Sequence, residues 1–204
     1  MKSTPQQSTF LAWIYRMPLI KRWALMHCVK PENVAEHSHL VAVISHMLVI
    51  IKNKKFGGNL NPDRAATLAL YHECSESRHQ DLNHNTKYHN PEITREFKRL
   101  EAMAEQECLE SLPEEFREDF EALVVQDKVD PTYRPIIKAA DVLSAYVKTL
   151  DELHFSNSEF EHVKVNLDKK LAQLVQTMPE VKYFLDTFSD SCLATLDKLS
   201  NPKL

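Results

Sequence analysis

A chain of 204 residues is long enough to bury a substantial core and is most simply read as one domain, residues 1-204. With 2 Gly, 10 Pro and 43% hydrophobic residues, the composition argues against turn-rich β folds and Gly-rich phosphate loops. A formal charge of -4 gives no electrostatic reason to expect extended nucleic acid or a membrane surface as partner.

No apolar run is expected to approach the roughly 18 residues needed to cross a bilayer. The opening segment, MKSTPQQSTFLAWIYRM, lacks the core and cleavage site of a signal peptide. Cys28, Cys74, Cys108 and Cys192 form no CxxC pair and read as reduced thiols of a cytoplasmic protein.

Helical periodicity dominates the chain. Thr9 to Met17 predicts a short first helix, followed by a connecting stretch that contains Arg22-Trp23. Asn33 is an N-cap candidate for a long helix through Lys54, with Leu40, Val43, Ile44, Met47, Leu48 and Ile51 recurring at helical spacing. Gly57-Gly58-Asn59 ends it, and Asn61-Pro62 opens the next helix, with His72 near its far end. His79 to Asn90 has no apolar period and reads as a loop. Pro91 opens a charged helix to about Leu112, with Leu100, Met103, Ala104 and Cys108 as its buried stripe. Further helices are predicted from Pro113 to Val125, Pro131 to Phe155, Phe160 to Met178 and Pro179 to Leu199. The fold class expected is all-α, a single-domain helical bundle without repeats.

Three helices of this scheme carry metal-ligating side chains: His37 in an opening turn, His72 near a helix end, and Asp141 midway along another. Imidazole and carboxylate groups are what a hydrolytic divalent cation needs, provided the helices pack together. Taken alone, lone histidines are more often ordinary core or surface residues than ligands. Arg22, Trp23 and Glu76 have similarly plain readings: a surface ion pair, a core filler and a solvated helix-end charge.

The segments LIKRWALMHCVKPENVAEHSH (Leu19 to His39), KNKKFGGNLN (Lys52 to Asn61), LYHECSE (Leu70 to Glu76) and KAADVLSAY (Lys138 to Tyr146) resemble bacterial HD-domain 5'-deoxynucleotidases of the YfbR type. The likeness runs in register over most of the chain and is firmest from Leu19 to Glu76. It implies an HD-domain helical bundle, a divalent metal cofactor and a commonly homodimeric assembly. It also implies hydrolysis of (deoxy)nucleoside 5'-monophosphates to nucleoside and phosphate. By this resemblance His37, His72 and Asp141 hold the metal, with Glu73 in the place of the family's signature Asp. Glu76 corresponds to its catalytic Glu, Arg22 and Trp23 to its substrate-binding Arg-Trp, and Asp81 to the Asp that contacts the sugar.

The residue types make those roles intelligible. Arg22 can pair with a phosphate bidentately, and a cation lowers a water's pKa toward neutrality. Glu76 follows His72 by four residues, which on one continuous helix would put both on one face. A carboxylate there could orient water or shuttle its proton.

Three positions depart from the family pattern. Glu73 extends its carboxylate about 1.5 Å further than Asp would, against a tolerance of about 0.5 Å for a functional group. The metal can shift, Glu73 can swing away so that water takes its place, or the site can stay empty. The family's substrate loop, approximately GDLPTPVKY, is here QDLNHNTKY, Gln80 to Tyr88, without the Gly or either Pro. A Glu-His pair upstream of the distal Asp aligns with Gln126-Asp127, where Gln126 keeps the hydrogen-bonding shape and loses the charge.

Two function classes follow. One is a metal-dependent phosphohydrolase of nucleoside monophosphates. The other is a degenerate HD-fold paralogue that binds nucleotide or phosphate without catalysis, with Arg22 and Lys87 sufficing. His79, His84 and His89 raise a displaced metal site in the loop, against the plainer reading of a solvated His-rich loop.

Overall fold

The computed structural model describes residues 7–201, and those residues form a helical bundle. They contain no strand beyond an isolated antiparallel bridge between Lys21 and Asn33. The eleven α-helices are α1 (Phe10–Ile14), α2 (Val34–Phe56), α3 (Pro62–Tyr71), α4 (Glu76–His79), α5 (His84–Lys87), α6 (Pro91–Glu110), α7 (Arg117–Val124), α8 (Arg134–His154), α9 (Glu161–Thr177), α10 (Pro179–Phe184) and α11 (Leu196–Ser200).

Helix α2 is the axis of the bundle and packs against α3, α8 and α10. Its start is fixed by a capping box. The Asn33 side chain accepts from Glu36 N at 3.0 Å, and Glu36 Oε2 accepts from Asn33 N at 3.2 Å. It ends where Gly57 turns left-handed at φ 69°, a conformation that costs glycine little.

Being surrounded, α2 has no single buried stripe. Ile44, Leu48 and Ile51 are buried as expected, but so are Val41, Val49, Ser38 and Ser45. Val43, expected inside, is half exposed. Encirclement also corrects the expectation that no segment is apolar enough to span a bilayer. By length and composition α2 is, yet over half of its most apolar stretch is buried in the bundle.

Asn61 caps α3 through Asp63 N and Arg64 N, at 2.8 and 3.1 Å. α6 begins at Pro91 under an Asn90 cap, but Leu100 and Met103 lie half exposed. Only its C-terminal half, with Ala104, Glu105, Cys108 and Leu109, is buried. α8 starts three residues later than Pro131 suggests. Asp130 accepts from Thr132 N at 2.8 Å and holds Pro131 in a turn, so Pro135 becomes the first-turn proline.

The expected helix from Pro179 to Leu199 is broken. Past α10 the chain passes through a π-turn at Leu185–Ser189 and a 3-10 turn at Asp190–Leu193. It then restarts where Thr195 caps α11. Ser189 Oγ donates to Leu185 O at 2.6 Å, a local bond that competes with regular helix.

Candidate metal centre and substrate clamp

Packing of α2 against α3 and α8 brings together side chains that are far apart in sequence. One ligand atom from each of His37, His72, Glu73 and Asp141 falls within 4.8 Å of the others. Among the described residues this is the only such group of three or more. His79, His84 and His89 do not gather: the His79 ring meets Phe97 edge-on and His84 lies against Tyr88.

His72 is the C-cap residue of α3, and the chain turns through Glu73 to Ser75 before α4 begins at Glu76. His72 and Glu76 therefore do not share one continuous helix, and the turn carries Glu76 to the site instead.

Each imidazole has a partner on its outer nitrogen. His72 Nδ1 lies 2.6 Å from Ala69 O. A carbonyl can only accept, so Nδ1 carries a proton, and in the neutral ring Nε2 is then the atom with the free lone pair. His37 Nδ1 faces Ser144 Oγ at 3.2 Å, with Glu32 Oε1 at 4.0 Å behind it. Both Nε2 atoms are buried without a hydrogen-bond partner. His37 Nε2 stands 3.0 Å from Asp141 Oδ1 without hydrogen-bond alignment, and His72 Nε2 stands 3.4 Å from Glu73 Oε1. Two buried Nε2 atoms without hydrogen-bond partners, each facing a carboxylate, are an arrangement that a bound cation would satisfy. The donor set of two imidazole nitrogens and two carboxylate oxygens therefore fits a divalent transition-metal ion.

Glu73, one methylene longer than Asp, keeps its carboxylate with His37, His72 and Asp141. Asp141 feels opposing influences. Burial pushes its carboxyl up, while the close His37 imidazole, with His72 and Arg22 nearby, holds it well below the usual carboxylate range. Glu76 is buried rather than solvated, which corrects the plain reading of it. Burial first, then the charges of Glu73 and Asp81, push it up to about 10. Asp81 is also raised, by burial and Glu73 against the opposing charges of Arg22, His37 and Lys87.

Arg22 belongs to the same field. Burial works to lower its pKa, but Glu73, Asp141, Glu32 and Asp81 outweigh it and raise the guanidinium above its ordinary range. Trp23 donates its indole N–H to Glu32 Oε2 at 2.7 Å and packs on Phe160 at 5.2 Å between ring centroids.

Some of the surroundings escaped the sequence reading. Glu32 looks there like one more charge before a helix cap, and nothing in its spacing marks it. Ser144 could have been found, because it lies three residues beyond Asp141 on the same helix face. Gln126 offers no replacement charge: its N–H donates to Glu105 Oε2 at 3.0 Å, and its side-chain nitrogen is buried without a partner. Two open hollows lie elsewhere on the surface, beside Tyr88 to Lys98 and beside Leu11 to Leu19. The site is identified by its donor atoms, not by cavity size.

Comparison with known proteins agrees with this geometry. The profile of the YfbR-like 5'-deoxynucleotidase family matches residues 9–192. A 5'-deoxynucleotidase of Vibrio vulnificus is 48% identical over 195 residues, covering 96% of this chain and 100% of that protein. One from Vibrio cholerae is 47% identical with the same coverage. Among solved structures, an HD-domain phosphohydrolase from Listeria innocua superposes with a TM-score of 0.79 at 19% identity, over 94% of this chain and 92% of that one. The cyanophage S-2L HD phosphohydrolase, bound to dA and one catalytic Zn2+ ion, superposes with a TM-score of 0.62 at 18% identity, over 95% and 98%. At these identities the two structures speak for the fold alone. With a family profile spanning most of its length and full-length relatives near one-half identity, the chain belongs to the YfbR-like 5'-deoxynucleotidase family.

Proposed function

We propose that this protein is a metal-dependent phosphomonoesterase that hydrolyses deoxynucleoside 5'-monophosphates to deoxynucleoside and phosphate. The observation that carries this reading is the pair of buried, unpartnered Nε2 atoms of His37 and His72 facing Glu73 and Asp141. The names of the full-length relatives support the substrate class. When bound, the cation would supply positive charge at the phosphoryl oxygens and a water of lowered pKa.

The chain's own residues supply the rest. His37, His72, Glu73 and Asp141 would hold the cation. Arg22 pairs with two phosphoryl oxygens and offsets the charge that grows on them in the transition state. Glu76 handles the proton. As the water oxygen bonds to phosphorus and the P–O5' bond breaks, the water loses a proton and the departing O5' gains one. Trp23 and Asp81 bound the sugar.

The alternative, a phosphate binder that works without a cation, is disfavoured by charge. Glu73, Asp141, Glu32 and Asp81 all act on the Arg22 guanidinium, Lys87 is already paired with Glu101, and an anion entering that field needs more positive charge than these two side chains supply.

The proposal extends to a single domain over residues 1-204, a cytoplasmic setting suited to four unpaired cysteines, and a homodimer. The half-exposed Leu100 and Met103 on α6 are available to a second copy. Light scattering behind size exclusion tests the dimer, and a monomer would remove it.

Phosphate release decides the activity. Metal-stripped protein is given cobalt, manganese, magnesium or zinc and a panel of deoxy- and ribonucleoside 5'-monophosphates. Metal-dependent release from the deoxy series is expected. No release with any cation would sink the reading.

A further inference from the structure

Residues 21–33 leave the bundle and return as a closed excursion. Its neck is the Lys21–Asn33 bridge, with Arg22 N donating to Glu32 O at 3.0 Å and Val34 N to Ile20 O at 3.0 Å. Arg22 and Trp23 lie on the outgoing limb and Glu32 on the returning one, two residues before α2 begins. One carboxylate therefore meets both limbs and the first turn of the helix that carries His37. Glu32 Oε2 accepts the Trp23 indole N–H at 2.7 Å and stands 3.4 Å from Arg22 Nε, while Oε1 lies 4.0 Å from His37 Nδ1.

The clamp needs such a tie, because its backbone is not relaxed. Trp23 has φ 59° and Leu25 φ 70°, the left-handed region that side chains with a bulky Cβ substituent rarely adopt. A strained conformation persists only where its surroundings over-determine it. For Trp23 those surroundings are the Glu32 hydrogen bond on one side and the Phe160 ring on the other.

Resting on the phosphohydrolase reading, we propose that Glu32 is the positioning residue of the substrate clamp: its carboxylate holds Arg22 and Trp23 in register with the metal ligand His37. The guanidinium and indole then present to the 5'-phosphate and sugar as a fixed pair, so less ordering is left for the moment of binding. Glu32 touches neither substrate nor cation in this role. Its loss weakens substrate and phosphate binding more than the chemical step.

The test compares Glu32→Ala with Glu32→Gln in metal-loaded protein. Five quantities are measured: KM and kcat for a deoxynucleoside 5'-monophosphate, Kd for inorganic phosphate, bound metal per chain, and tryptophan emission in a Trp13→Phe background that leaves Trp23 alone. Gln keeps an oxygen acceptor for the indole and loses the charge beside Arg22; Ala loses both. For Ala, KM and the phosphate Kd are expected to rise about tenfold while kcat falls less than about threefold. Trp23 emission should shift to the red, with metal content unchanged. Gln should keep the native emission and show a smaller rise in KM and Kd.

Unchanged phosphate Kd and unchanged emission in Glu32→Ala would overturn the proposal. So would loss of bound metal in step with activity, which would make Glu32 part of the metal site. If Ala does not fold, Gln decides: native phosphate affinity there would contradict any hold on Arg22. Should the native protein hydrolyse no nucleotide, the phosphohydrolase reading fails, whereas phosphate affinity and Trp23 emission still judge Glu32.

Discussion

Helix α8 carries two carboxylate networks about 16 Å apart along its axis, at 1.5 Å per residue. They are built on opposite principles. At Glu152 every bond is closed. Its carboxylate accepts from Val29 N at 2.8 Å, Lys30 N at 3.1 Å and Asn157 Nδ2 at 2.8 Å, and pairs with the buried Lys148. Lys148 also donates to Lys30 O. Burial alone would raise the Glu152 carboxyl, but these donors hold it down, to about 2. At Asp141 the surroundings stay open. The Nε2 atoms of His37 and His72 and Glu76 Oε2 are all buried without hydrogen-bond partners. A network that satisfies itself fixes structure, here the limb of the excursion that includes Val29 and Lys30. A network that leaves lone pairs and charges pointing inward is built for something that arrives later.

Substitution should separate the two. The largest effect belongs to the open network. His72→Ala should lower metal-dependent phosphate release about 1000-fold or more, with urea midpoints close to native. A urea midpoint that collapses alongside activity would show the imidazole to be structural. In the closed network the order reverses. Glu152→Ala strands the buried Lys148 charge and should cost about 3–5 kcal/mol in urea unfolding. Removing both charges together, as Lys148→Met with Glu152→Gln, which keeps an acceptor for Val29 N and Lys30 N, should cost much less. Equal losses in the two variants would mean that ion pairing is not what matters there.

Glu105 stands between these extremes, half satisfied by Gln126 N–H. Burial outweighs that bond and pushes its carboxyl from 4.5 up to about 7. A raised acid pKa means that the folded state resists ionisation, so the native protein loses stability as pH climbs from about 4.5 to about 7. Glu105→Gln should match the native protein below that window and exceed it by about 1–2 kcal/mol above, with the gap growing through it. A gap independent of pH would contradict the assignment.

Smaller effects refine the open side. Glu73→Asp restores the shorter family arm and should raise kcat about fivefold, because a ligand's reach sets where the cation sits. Lower activity would mean that the site has re-formed around Glu73. Gln80, beside Asp81, has φ 66° and ψ 169°, a region that only glycine occupies without strain. Gln80→Gly should raise stability by about 1 kcal/mol, read as a higher Tm. No change would mean that the loop relaxes on its own.

The sequence carried the open network better than the closed one. His37, His72 and Asp141 are legible through the family motif, since residue chemistry alone leaves them ordinary, and helix packing brings them together. Arg22-Trp23 was legible as a motif but not as a strained pair, since left-handed φ at a tryptophan leaves no mark in composition. Glu32, Lys148 and Glu152 were silent: their roles depend on an excursion folding back onto α8, a long-range event with no period. The helices were placed to within a few residues where Asn caps and first-turn prolines mark them. Val43, Leu100 and Met103 were misplaced because periodicity shows which residues share a face, not which face meets the core. The break after Phe184 was missed because local serine and threonine bonds there override a plausible helical pattern.

The most direct measurement is an anomalous-difference map from crystals loaded with cobalt. A peak is expected within ligand distance of His37 Nε2, His72 Nε2, Glu73 and Asp141. Cobalt found only elsewhere, as at the exposed His46–Asp63 pair, with nothing among those four side chains, would contradict it.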